Sequence, residues 1–168
     1  MKKKFLFALL AMIFAAVIFS GISAHSAEAE IIASGFCGAE RTKTNLKWTL
    51  DSEGTLRIEG KGDMVDFHES PPYWYENRAS IKVVTIGSSV TKIGYSAFYK
   101  CNNLTSVTIP ESVTSIGSFA FFGCIDLTNI SIPSSVEKIG ERVFTDCNAL
   151  LSITVDSNNP NYTSDKFG

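Results

Sequence analysis

The chain repeats itself every 23 residues, and few folds can accommodate such a repeat. Ile93-Gly94, Ile116-Gly117 and Ile139-Gly140 recur at that step. Cys101, Cys124 and Cys147 keep it, as do Phe98, Phe121 and Phe144. A fixed period between roughly 20 and 50 residues marks a stacked array, in which each unit contacts only its neighbours. Such arrays present long surfaces and seldom enclose a catalytic centre.

The units start at Leu104, Leu127 and Leu150, with a partial first copy from Ile81. Val107 and Ile109 alternate with Ser106 and Thr108, which predicts a strand with one buried face. Pro110 and Pro133 stop the strand because proline cannot donate to a ladder; Gly87 and Asp156 hold that place in the other copies. Val113 and Ile116 then turn inward. Gly117 is expected to permit a backbone bend, as are Gly94 and Gly140 at the same register. Ala120, Phe121 and Cys124 have the spacing of one short helical turn facing inward. One unit is thus a strand, a bend, an extended return and a helical turn. The expected fold is a repeat solenoid, a β-dominated α/β array with a β-rich cap at its N-terminal end. A lone unit cannot bury enough apolar surface to order itself, so stacking and end caps are required.

The first residues read as an export leader. Lys2, Lys3 and Lys4 precede an apolar run from Phe5 to Phe19, and Ala27-Glu28-Ala29 has small residues where a signal peptidase reads. The run is shorter than the roughly 20 residues of a membrane span. Cleavage after Ala29 removes three lysines and Glu28, moving the net charge from −2 to −4. An acidic chain without a basic cluster is poorly suited to nucleic acid, whose binding depends on phosphate neutralisation. Residues 30–80 are expected to form the cap. Within it, Leu46–Leu50 and Thr55–Ile58 read as a hairpin, and Pro71-Pro72-Tyr73-Trp74-Tyr75 as an aromatic plug or a carbohydrate platform. Residues 81–156 are the solenoid, about four units with the first partial. Residues 157–168 read as a polar linker toward missing C-terminal repeats, which leaves the last unit unsealed. Such an edge invites self-association or a covering partner.

Chemistry-bearing residues are few. Three cysteines at one repeat position suggest a ladder of small apolar core residues, although an even count in an exported chain also permits disulfides. Asp63, Asp66, His68 and Glu69 are oxygen and nitrogen donors close in sequence, more simply read as a solvated loop. No cofactor and no metal is expected. The outward strand positions carry more promise. Thr85, Thr108, Ser131 and Thr154 should form a hydroxyl row, beside a second row of Val83, Ser106, Asn129 and Ser152. A flat polar ladder can hold an extended peptide or glycan by many weak hydrogen bonds, though threonine is also simply a good outward strand residue.

From Ile93 to Val113 the chain runs Ile-Gly-x-x-Ala-Phe-x-x-Cys-x-x-Leu-x-x-Val-x-Ile-Pro-x-Ser-Val. This pattern resembles the BspA-type leucine-rich repeats of secreted and surface bacterial proteins. The third unit keeps it with Ile130 for valine; the fourth departs at Val143 and Asp156. The stretch from Cys37 to Trp74 resembles the β-rich region that often precedes these repeats, and Asn159-Pro-Asn-Tyr162 resembles a link to further repeats. The resemblance implies a curved solenoid, export or surface display, and adhesion to extracellular proteins or glycans, in some members host matrix proteins. It brings no catalytic residues. The rival expectation is a non-catalytic repeat region of a larger secreted enzyme that continues past residue 168.

Overall fold

The computed structural model describes residues 29–39 and 43–164. The expected leader, Ala29 aside, lies outside the described residues, as do the last four residues of the expected tail. Strands β1 (Ile31–Phe36), β2 (Leu46–Asp51) and β3 (Thr55–Gly60) form an antiparallel meander. Asp51 closes the β2–β3 hairpin. Its buried carboxylate accepts from the amides of Glu53 (3.1 Å) and Thr55 (2.8 Å) and from Arg57 Nη1 (2.6 Å). Gly54 supplies the positive φ, +93°, that the turn needs.

The meander is the first layer of the stack. β3 pairs in parallel with β5 (Val83–Ile86), and β5 with β7 (Ser106–Thr108), giving the order β1-β2-β3-β5-β7. A second sheet runs β10-β8-β6-β4, made of Gly62–Asp63 (β4), Val90–Ile93 (β6), Ser115–Ile116 (β8) and Lys138–Ile139 (β10). Strands β9 (Asn129–Ile132) and β11 (Ser152–Val155) form a separate parallel pair. Val83 lies opposite Ser106, Ser115 opposite Lys138, and Asn129 opposite Ser152, so each coil lies on the one before it with a 23-residue offset.

Three corners turn each coil, and they are built differently. At the first, the carbonyls of Gly87, Pro110, Pro133 and Asp156 accept from the amides of Val90, Val113, Val136 and Asn159. A carbonyl acceptor does not depend on its side chain, so glycine, proline and aspartate all serve. Ser112 Oγ and Ser135 Oγ then donate to the carbonyls of Val90 and Val113 in the coil below, at 2.6 and 2.7 Å.

At the second corner the expected glycine bend is absent. Gly94, Gly117 and Gly140 do not have positive φ. A Cβ on Gly117 would lie 2.5 Å from the Tyr95 amide nitrogen, and one on Gly140 2.3 Å from that of Ser118. These glycines let one coil's backbone lie directly on the next.

The third corner corrects the expected helical turn. Ala120, Phe122 and Cys124 donate to the carbonyls of Gly117, Phe119 and Phe121, which is a run of tight turns. The intervening peptides point along the stack instead. Ser96, Phe98 and Lys100 donate to Ser118, Ala120 and Phe122, and Phe119, Phe121 and Gly123 donate to Glu141, Val143 and Thr145. Alternating peptides require alternating backbone handedness. Left-handed φ therefore recurs at Ser96, Phe119 and Arg142, and again at Lys100, Gly123 and Asp146. Five of these six are not glycine, although each such residue costs about 1–2 kcal/mol.

Inside, one aromatic column runs through the stack. Trp74 lies on Phe98 (5.8 Å between centroids), Phe98 on Phe121 (5.2 Å) and Phe121 on Phe144 (5.9 Å), all near parallel. Trp74 is fully buried, and its indole N–H donates to the Ala97 carbonyl at 3.0 Å. Trp48 and Phe67 meet it edge-on, so the meander and the aromatic segment close the column together.

The tail does not behave as a linker as far as Ser164. Asn159 sits 23 residues after Val136, is buried, and donates to the carbonyls of Pro133 (2.7 Å) and Val136 (3.1 Å). Tyr162 sits 23 residues after Ile139, and its hydroxyl accepts from the Ile139 amide at 3.0 Å. The repeat register thus continues, with polar side chains taking apolar positions and covering part of the last coil.

Candidate functional site

The strand face is built by β-strand alternation. Val84, Ile86, Ile109, Ile130 and Ile132 point inward, which turns their neighbours out. Thr85, Ser106, Thr108, Asn129, Ser131 and Thr154 are exposed, and Ser152 is half-buried. Thr85 lies opposite Thr108, and Ser131 opposite Thr154. The expected row has no ladder hydrogen bonds between β7 and β9, although the two strands are neighbours in the stack. The Thr154 hydroxyl also reaches the Ile130 carbonyl at 3.4 Å, and the Asn129 amide reaches the Thr128 hydroxyl at 3.1 Å, so these two side chains are partly engaged.

The meander lengthens this face in a way the repeat could not reveal. Arg57 lies opposite Thr85 and also opposite Thr49, so the row runs Thr49–Arg57–Thr85–Thr108 across four strands. Arg57 is fixed by its ion pair with Asp51 at 2.6 Å. Burial by itself pushes the Asp51 carboxyl up; the Thr55 amide, the Arg57 hydrogen bond and charge, and the Glu53 amide outweigh it and hold it below the usual carboxylate range.

All four cysteines are buried free thiols. Cys124 Sγ lies 3.3 Å from the Phe98 carbonyl oxygen, and Cys147 Sγ 3.2 Å from that of Phe121. Burial pushes the thiols of Cys37 and Cys101 up to about 12, and raises Cys124 and Cys147 as well. Neutral buried thiols are poor nucleophiles, since the thiolate is the reactive form.

The donors near His68 are dispersed. Asp63 accepts from the Thr91 hydroxyl at 2.5 Å. Asp66 accepts from Lys92 Nζ at 2.6 Å and from the Tyr95 amide at 2.7 Å. The His68 ring lies on Tyr95, 4.1 Å between centroids. Among the described residues, no three His, Cys, Asp or Glu side chains gather as a metal site. None of the described helices is long and apolar enough to cross a membrane.

Residues 69–168 match a family model described as a BspA-type leucine-rich-repeat region of six copies. The chain belongs to that family. A solved leucine-rich-repeat protein from Eubacterium ventriosum ATCC 27560 is 27% identical over 80% of this BspA-type chain and 47% of its own, with a TM-score of 0.51. Another, from Bacteroides capillosus ATCC 29799, is 24% identical over 67% of this chain and 95% of its own, with a TM-score of 0.48. The chain therefore spans about half the length of the first of these structures. Comparison with curated protein sequences returned no match.

Proposed function

We propose that this BspA-type chain is exported and acts outside the cell as a recognition module, binding an extracellular protein or glycan through its strand face. One observation carries the reading: Thr85, Ser106, Thr108 and Ser131 stand exposed at register positions of stacked strands, with a fixed arginine on the same face. Their hydroxyls can donate or accept, and the backbone beneath them is rigid. A ligand extended across the strands would gather many bonds of about 0.5–1.5 kcal/mol each. Rigid presentation lowers the ordering cost of binding. The adhesion that the resemblance implies would suit such a surface.

Protein recovered from the culture medium of an expressing bacterium, and beginning at Glu30, is the material to test. Immobilised fibronectin, laminin and collagen and an array of glycans are the probes. Thr108→Lys with Ser131→Lys is expected to cut binding at least tenfold with unchanged thermal stability. Retention of the protein inside the cell would overturn export, and undiminished binding would reduce the face to scaffold.

A further inference from the structure

A cleft of about 410 Å³ opens where the Phe67–Tyr75 segment crosses the third corner of the first coils, away from the strand face. We propose that it is a glycan-binding site for a neutral pyranose unit. The walls are aromatic: Tyr75, Tyr95 and Tyr99, each half-buried. They are held in place before any ligand arrives. Tyr95 packs against His68 and Phe119, at 4.1 and 5.4 Å between centroids. Tyr99 stacks on Phe122 at 5.2 Å, one repeat step away. The Arg78 guanidinium lies 3.9 Å from the centre of the Tyr75 ring.

The polar groups around these rings choose the ligand class. The amides of the aromatic walls are already committed, while those of His68, Glu69 and Ser70 at the lip bond to no described residue. The amides of Phe67, Tyr75, Ser96 and Tyr99 donate to Tyr95, Pro72, Ser118 and Ser96, and that of Tyr95 donates to Asp66. An extended peptide, which is held mainly by main-chain bonds along a strand edge, finds no strand edge there, only the short lip of residues 68–70. The other free groups are side chains. The hydroxyls of Tyr75, Tyr95 and Tyr99 bond to no described residue, and His68, Glu69 and Ser70 stand exposed at the lip. Phenols, a serine hydroxyl, an imidazole and a carboxylate offer donors and acceptors close together. Adjacent sugar hydroxyls are both donors and acceptors and match that set. The C–H face of a pyranose is apolar and lies flat against an aromatic ring. Aromatic walls with a few convergent polar groups are the usual composition of a small-ligand site, and the volume falls in the usual range.

The test is titration calorimetry of the full secreted chain with cellotetraose, chitotetraose and laminaritetraose. At least one should bind, with Tyr99→Ala weakening it about tenfold or more. Glu69 is exposed at the lip, so Glu69→Gln leaves folding intact and should weaken binding several-fold. The Thr108→Lys, Ser131→Lys double variant should bind the sugar normally, which separates this site from the strand face. Failure of all three sugars to bind, or binding untouched by Glu69→Gln, would overturn the assignment. So would binding of a proline-rich peptide in place of the sugars.

Discussion

Two glycines in one coil illustrate opposite physics. Gly117 has ordinary backbone angles, but a Cβ there would lie 2.5 Å from the backbone of the coil below. Gly123 has φ +70°, and its nearest contact would be the flexible Lys100 side chain at 3.2 Å. Gly117→Ala is therefore expected to cost about 2–3 kcal/mol, because two backbones must separate. Gly123→Ala should cost about 1–2 kcal/mol, the price of a left-handed non-glycine residue. Urea melts of both variants would check the order, and equal losses would contradict it. Asp51 makes a second prediction. Its carboxyl is held below the usual range in the folded chain, so the unfolded chain binds more protons in acid. The stability it contributes is complete above about pH 4, the unfolded value, and is lost as pH falls through the folded one. Asp51→Asn should lower stability at pH 7 and flatten its fall in acid, measured by melts across pH 2–7. Ser112 is a fixed letter of the repeat pattern and Ser135 its equivalent, yet their bonds to the coil below were not legible in the sequence. Their signal was there as a 23-residue serine repeat, but serine in a polar turn suits solvent equally well.

At the scale of elements, the aromatic column ties successive coils ring on ring. Phe121 is fully buried, with Phe98 on one side and Phe144 on the other. Phe121→Ala should cost about 3–5 kcal/mol by leaving a cavity between two rings. A denaturation midpoint within experimental error of the parent would show that the column relaxes around the gap. The strands and their inward faces were legible in the sequence because alternation of Val and Ile with Ser and Thr records burial directly. The third corner was not. Inward residues spaced by one and three fit a helical turn and a run of tight turns equally. Hydrogen bonds between coils decide, as from Phe98 to Ala120 and from Phe121 to Val143.

For the molecule as a whole, stability in a stack accumulates from neighbours. The middle coils have neighbours on both sides, and Val84, Leu104 and Leu127 are fully buried; in the last coil Leu150, Ile153 and Val155 are only half-buried. Native-state hydrogen exchange should therefore show protection highest at Val84 and Val107 and lowest at Ile153 to Val155. Uniform protection would mean that the stack opens only as one unit. The repeat period, the buried column, the strands and the hydroxyl positions followed from the sequence alone. Burial selects residue types, and a stack selects the same types at every turn. Other features were decided only in three dimensions. The meander joins the stack as its first layer, Gly117 serves close approach, Asn159 and Tyr162 continue the register, and the segment before the repeats closes over Tyr95 and Tyr99 to shape a cleft. These depend on backbone groups that every residue carries and on contacts between distant segments. The repeated glycine of 94, 117 and 140 was visible, but a bend and a close approach ask for the same residue, and contacts between distant segments leave no regular spacing to read.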